Sequence, residues 1–185
     1  MSARNRPPRE RRPVPPLTKS SLYDLATRYV ARYATTSAKL RTYLARKLRE
    51  RGWDGESPPD VEGIAERFVE LGYIDDEAYA RAKSGSLLRR GYGKRRISQT
   101  LHHDGIDEPL RESVAPSDLE ARQALVALAK KRRFGPFATQ EVDRDRREKQ
   151  IAALLRAGHS FDHVRAVMAC EGEAAALAWV DEGEM

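Results

Sequence analysis

The apolar residues recur at helical spacing almost everywhere from Ser20 onward, and no stretch shows the alternation or the β-branched runs of a strand. The pattern therefore predicts an all-α protein without a sheet. We expect Ser20 or Ser21 to cap the first helix and Thr36 or Ser37 to cap the second. The predicted helices cover about residues 20–34, 37–52, 57 or 60–71, 76–90, 94–104, 117–133 and 140–157, and a last one follows Ser160.

A repeat emerges when three turns are aligned, at Ala34, Gly91 and Gly158. In each copy an apolar residue follows six positions after the turn and a second follows ten positions after it. The pairs are Leu40 and Leu44, Ile97 and Leu101, and Val164 and Met168. Each copy predicts a helix, a tight turn and a second helix that buries this pair, with a further helix bridging to the next copy. Such units bury their apolar faces by stacking on one another. The alternative is that amphipathic helices share this spacing by chance.

The predicted organisation follows from these turns and from local composition. Residues 1–19 combine five prolines with six basic residues, which predicts a disordered basic arm. This arm either binds along the phosphates of a nucleic acid or is a solvated terminus without a role. Three helical repeats follow, and the chain closes with an acidic tail. The predicted ranges of these parts are 20–56, 57–115 and 116–172 for the repeats and 173–185 for the tail.

Composition supports thin helical packing and indicates the kind of partner. Of the 185 residues, 40% are hydrophobic and 34% are charged, which favours an elongated shape two helices deep. The net charge is +6, and the basic excess lies in the first third of the chain. Clustered cations favour a polyanionic partner, nucleic acid first and an acidic protein surface second.

The chain has a single cysteine, Cys170, which rules out an intramolecular disulfide and a disulfide-stapled secreted fold. No apolar segment typical of a signal peptide follows the basic start, and the longest apolar run, Ala174 to Val180, is too short to span a bilayer. We therefore expect a soluble, cytoplasmic protein that does not associate with membranes.

Basic residues crowd the middle of the chain, where no acidic residue occurs between Ala78 and His103. Cations in a first helical turn lose roughly 0.3–1 kcal/mol to the helix dipole, so a phosphate or carboxylate partner would explain them there. We predict anion binding by repeats one and two but not three, with Gly91 and Gly93 permitting close approach. A solvated charged face is the alternative. The candidate residues are Lys39, Arg41, Arg81, Lys83, Arg89, Arg90, Lys94, Arg95 and Arg96.

Two further clusters put cations beside aromatic residues, as proteins that bind single strands do. They are Arg46, Lys47, Arg49 and Arg51 with Trp53, and Lys130 to Arg133 with Phe134. Both are predicted at helix C-termini, where the helix dipole alone favours cations.

No motif identifies a catalytic centre. The run Gly91 to Lys94 lacks the spacing of a phosphate loop, and no serine lies in a nucleophile elbow. A zinc site at His159, His163 and Cys170 lacks a fourth ligand. We therefore expect a binding protein that is not an enzyme and that needs no metal or cofactor.

Four segments make the chain resemble the RecX family. They are Leu40 to Gly52, Leu71 to Asp76 with Tyr79-Ala80, Gly93 to Leu101, and Leu154 to Ser160. The resemblance extends from about residue 22 to 170. It implies tandem three-helix repeats that form an elongated, curved molecule.

The resemblance also implies a function. RecX proteins are regulators that bind filaments of the RecA recombinase, with or without direct contact to single- or double-stranded DNA, and restrain recombination and DNA repair. We expect this role, carried out by a monomer. The alternative is a general nucleic-acid-binding helical protein or a transcription factor, in which one helix enters the major groove.

Overall fold

The computed structural model describes residues 15–184, and these form ten α-helices and two 3₁₀ segments without a named strand. The all-α prediction is confirmed. The helices are α1 (Lys19–Arg32), α2 (Ser37–Arg51), α3 (Val61–Glu70), α4 (Asp76–Arg89), α5 (Lys94–His103), α6 (Glu108–Ser113), α7 (Asp118–Arg132), α8 (Arg144–Arg156), α9 (Phe161–Ala169) and α10 (Glu173–Asp181). The 3₁₀ segments are Gly135–Phe137 and Glu182–Glu184.

Short polar side chains set most of the helix starts by accepting hydrogen bonds from free backbone N–H groups. Thr36 caps α2 and Asp60 caps α3, as the sequence predicts. The predicted cap of α1 is wrong, because Thr18 occupies that position. The Thr18 hydroxyl accepts from the Ser21 N–H and the Ser21 hydroxyl accepts from the Thr18 N–H, which is a reciprocal capping box.

The buried hydrophobic residues within 15–184 form three cores in chain order. The first joins α1, α2 and α3, the second joins α4, α5 and α6, and the third joins α7 to α10. We call these helix groups units one, two and three. Each apolar pair of the predicted repeat lies in a different core, and all six side chains are at most 3% exposed. The repeat of buried pairs is therefore confirmed.

The first unit is longer than predicted. Ala65, Phe68 and Ile74 pack in the same core as Leu22 and Leu40, so α3 belongs to unit one. The predicted boundary after residue 56 falls too early, since the second core starts only with α4. The helix α6, which the sequence did not predict, completes unit two.

Both ends of the described chain are more ordered than predicted. Residues 1–14 of the predicted arm lie outside the described residues. Leu17, however, is fully buried, donates to the Gly52 carbonyl at 3.0 Å and accepts from the Asp54 N–H at 2.8 Å. Leu17 therefore belongs to unit one, and the arm prediction is wrong for this part.

The predicted acidic tail contains a helix of unit three. Ala176 and Val180 of α10 are four residues apart and buried in the third core. Arg122 of α7 lies 4.7 Å from the centre of the Trp179 ring and donates to the Trp179 carbonyl at 2.8 Å. Apolar burial therefore outweighs the acidic composition that suggested a tail. Among the described helices, none combines the length and the apolar character needed to cross a bilayer.

Candidate interface around the turn between α4 and α5

The nine predicted site residues lie in different environments: some are ion-paired, Lys83 is half-buried, and others are exposed. Lys39 is ion-paired, because its ammonium lies 2.6 Å from the Asp104 carboxylate and 2.7 Å from the Tyr79 hydroxyl. Tyr79 also donates to Asp104 at 2.7 Å. The side chain of Asp104 is only 7% exposed. This triad joins α2 to unit two, so Lys39 stabilises the joint between units one and two.

The protonation states of the triad reinforce one another. Burial alone would raise the pKa of Asp104, but hydrogen bonds from Lys39 and Tyr79 and the positive charges of Lys39 and Lys83 lower it overall. Burial alone would lower the pKa of Lys39, yet its bonds to Asp104 and Tyr79 raise it overall. Burial raises the pKa of Tyr79. The joint therefore holds a carboxylate, an ammonium and a neutral hydroxyl.

The start of α2 already holds an internal anion. The Asp76 carboxylate accepts from the Ser37 N–H at 3.0 Å and from the Ser37 hydroxyl at 2.7 Å. Arg41, on the same helix, pairs with Glu62. Asp76 therefore occupies the position at the start of α2 where the sequence predicts an external anion.

The remaining candidates lie in unit two. Arg81 pairs with Glu77 one turn earlier on α4. Lys83 is half-buried near Asp104 at the first joint. Lys94 is exposed and lines a small cavity of about 170 Å³ with Glu108 and Glu112 of α6. These three cations therefore point into separate local environments.

Four arginines flank the turn and are exposed: Arg89, Arg90, Arg95 and Arg96. We call them the turn arginines. Within residues 15–184, none of them has a carboxylate within ion-pair distance. The guanidinium of Arg90 lies 5.3 Å from the centre of the Tyr92 ring. Guanidinium groups bind phosphates and carboxylates with two parallel hydrogen bonds, so these side chains can bind either anion.

The backbone of the turn serves a different purpose from the predicted one. The N–H groups of Gly93 and Arg95 donate to the carbonyls of Ala157 and Gly158 at 2.9 and 3.1 Å. A Cβ atom on Gly93 would lie 2.4 Å from the Gly158 oxygen. Gly93 therefore permits close packing of unit three, and two of the helix-start donors are not available to an external anion.

His159 closes the same joint. It is 5% exposed, and its Nε2–H donates to the Gly91 carbonyl at 2.9 Å. Burial lowers the pKa of His159, and this outweighs the opposite effect of the Gly91 carbonyl. The role of His159 in the joint could not be found from the sequence, because its partner lies 68 residues away. No cluster of three or more potential metal ligands occurs in the part of the chain that the structure describes.

Comparison with known proteins identifies the family. Residues 75–114 match the model of the RecX second three-helix domain, which agrees with the limits of unit two. Over 171 residues the chain is 35% identical to the regulatory protein RecX of Myxococcus xanthus, covering 86% of this chain and 91% of that protein. The chain belongs to the RecX family. The RecX of Agrobacterium fabrum is 34% identical over 162 residues, covering 84% of this chain and 83% of that protein.

Solved RecX structures share the fold. The crystal structure of RecX from Lactobacillus salivarius has a TM-score of 0.65 at 20% identity and covers 88% of this chain and 96% of that one. A second RecX crystal structure has a TM-score of 0.59 at 23% identity and covers 80% of this chain and 70% of that one. The helical order described above is therefore that of RecX proteins.

Proposed function

We propose that this chain is a regulatory protein that binds filaments of the RecA recombinase and inhibits their activity in recombination and DNA repair. Relatives similar over most of its length are named regulatory protein RecX, which supports the regulatory part of the proposal. The chain acts as a monomer in the cytoplasm, without a cofactor and without catalysis of its own.

One observation carries the assignment of a binding face. The turn arginines are exposed and lack internal carboxylates among the described residues, while Lys39, Arg41 and Arg81 are ion-paired. The backbone beneath the turn arginines is held by hydrogen bonds to unit three. A rigid scaffold presents charged groups with little loss of conformational entropy on binding, which favours recognition of an acidic filament surface or of its DNA phosphates.

The test is RecA-mediated strand exchange, with ATP hydrolysis by the filament measured in parallel. We expect the chain to slow both reactions at ratios well below one molecule per RecA. An excess of chain that leaves both reactions unchanged would contradict the proposal. Adding the chain before filament assembly tests whether it blocks filament growth. Adding it after assembly tests whether it causes disassembly.

The alternative, a general nucleic-acid-binding protein, is supported by the same four guanidinium groups, because phosphates suit them as well as carboxylates do. In that case DNA alone binds tightly, and the logarithm of the affinity falls linearly with the logarithm of salt concentration. Inhibition of RecA would then appear only when the chain is abundant enough to cover the DNA.

A further inference from the structure

We infer that unit one carries a separate binding site for single-stranded nucleic acid, on the face shared by α1 and α2. The face forms a surface cavity of about 460 Å³. Its lining consists of three tyrosines and four cations, without an acidic side chain. The tyrosines are Tyr29, Tyr33 and Tyr43, and the cations are Arg28, Arg32, Arg46 and Lys47. We call it the tyrosine face.

The three rings form one continuous aromatic surface. Tyr29 of α1 and Tyr43 of α2 stack with ring centres 4.3 Å apart and planes inclined by 13°. Tyr33, directly after α1, lies 5.4 Å from Tyr29 and is 50% exposed. An exposed tyrosine beside a stacked pair offers a platform for a nucleic-acid base, since bases of every kind stack on aromatic rings.

Cations flank the rings on both helices. Arg28 and Arg32 are four residues apart and so share one side of α1. Neither has an ion-pair partner among the described residues, and the Arg32 guanidinium lies 5.5 Å from the centre of the Tyr33 ring. On α2, Arg46 and Lys47 lie 5.6 and 5.9 Å from the centre of the Tyr43 ring. Phosphates on either side of a stacked base would therefore meet positive charge.

The carboxylate of Glu50 pairs with two cations of the face. Glu50 accepts from Arg46 at 3.1 Å and from Lys47 at 2.6 Å. The hydrogen bond from Lys47 is the main reason that the pKa of Glu50 is lowered. This leaves Arg28 and Arg32 as the cations without an internal partner, so they should supply most of the phosphate binding.

Single strands fit this combination better than the other polyanions do. A duplex keeps its bases stacked on one another, so they are not free to stack on Tyr33. An acidic peptide can pair with the cations, but its carboxylates do not stack on the aromatic surface. The site goes beyond the proposed function and does not rest on it, because it can be tested without RecA.

The experiment measures binding of a fluorescent oligothymidylate of about 20 nucleotides, long enough for the 4–16 nucleotides that such surfaces usually cover. Tyr33→Leu keeps apolar bulk but removes the ring, and should weaken binding about tenfold. Tyr33→Phe keeps the ring and should bind like the wild type. The matched control is Tyr73→Leu, which removes a 65% exposed tyrosine from the same unit outside the face and should leave affinity unchanged.

A second variant tests the cations. Arg28→Ala with Arg32→Ala should weaken binding and reduce its dependence on salt, because fewer phosphates are neutralised. Cross-linking with an iodouridine-substituted strand should label the peptides that contain Tyr29, Tyr33 or Tyr43. Thermal melts followed by circular dichroism establish that each variant is folded.

Four results would overturn the inference: unchanged affinity in Tyr33→Leu, cross-links confined to other peptides, competition by polyglutamate as effective as competition by the strand, or binding of the corresponding duplex as tight as that of the single strand. None of these assays contains RecA. A result that contradicts the strand site would therefore not contradict the proposed inhibition of RecA.

Discussion

Gly158 packs so closely against Arg96 that a Cβ atom on Gly158 would lie 2.4 Å from the Arg96 backbone nitrogen. The backbone of Gly158 has a φ of +95°, a conformation that side chains disfavour. Its carbonyl accepts from the Arg95 N–H at 3.1 Å. The turn of unit three thus fixes the start of α5, and with it the position of Arg95 and Arg96.

The first prediction concerns this contact. Gly158→Ala should lower the free energy of unfolding by about 3 kcal/mol, since it combines backbone strain with a clash that displaces unit three. Gly172→Ala is the matched control, because Gly172 has a φ of +93° but no described atom lies within 4 Å of the added Cβ atom. Its ψ of 176° lies outside the left-handed helical region, so the change should cost only the strain of that conformation, on the order of 1–3 kcal/mol and less than the cost of Gly158→Ala. Urea unfolding measures the free energy of unfolding of both variants. Equal losses would show that the contact with Arg96 does not contribute to stability.

The second prediction concerns the joint between units one and two. The fully buried Thr36 hydroxyl donates to the Asp104 carbonyl at 2.6 Å and accepts from the Lys39 N–H at 3.1 Å. Thr36→Val removes both bonds while keeping the shape, and should cost about 1–3 kcal/mol of stability. Thr36→Ser keeps the hydroxyl and should cost about 1 kcal/mol, for the lost methyl group. If thermal melts rank the serine variant below the valine variant, the hydroxyl does not hold the joint.

The third prediction concerns pH and His159. Burial lowers the pKa of His159 in the folded chain, so the unfolded chain binds a proton more readily. The stabilisation is complete above about pH 6.5, the ordinary histidine pKa, and is lost as the pH falls toward the lowered folded pKa. His159→Gln keeps a donor for the Gly91 carbonyl without titrating. It should therefore flatten the fall in stability as the pH drops below about 6.5.

The control for this pH dependence is His103→Gln, since His103 is exposed at the end of α5. Its stability curve should fall with acid as steeply as that of the wild type. A wild-type curve that is flat across this range would show that His159 accepts a proton without disturbing the joint.

The sequence predicted local features well and long-range ones poorly. The pairs of apolar residues four apart, such as Leu40 and Leu44, identify a buried helix face without knowledge of its partner. Asp76 caps no helix of its own but holds the start of α2, 39 residues earlier than itself. Spacing along the chain carries no signal for such contacts. For this reason Lys39 and Arg41 resembled an open anion site, whereas the structure supplies their partners internally.

The C-terminal segment was predicted wrongly because its composition was weighed above its spacing. Residues 173–185 are acidic in composition, which suggested a tail, yet Ala176 and Val180 are spaced to form one apolar helix face. The packing of Arg122 on Trp179 depends on residues 57 positions apart, so only the fold reveals it.

The last prediction concerns the turn arginines and the inhibition of RecA. Arg90→Ala with Arg95→Ala removes two guanidinium groups that have no internal carboxylate partner in the described chain, while leaving the Arg95 backbone bond to Gly158 intact. If this face binds the filament, half-inhibition of ATP hydrolysis should need roughly tenfold more protein, corresponding to about 1.4 kcal/mol of binding energy.

The matched control for net charge is Arg144→Ala with Arg146→Ala. These two arginines lie in the first turn of α8, but they pair with Glu148 and Asp143 at 3.1 and 3.5 Å. Removing them changes the net charge by the same amount and should alter inhibition little, since their charges are already compensated. If both double variants weaken inhibition equally, overall charge rather than the turn arginines attracts the chain to the filament. A defect in inhibition confined to the Arg90 and Arg95 variant, with unchanged oligothymidylate binding, would assign filament contact to unit two and show that the strand does not use the turn arginines.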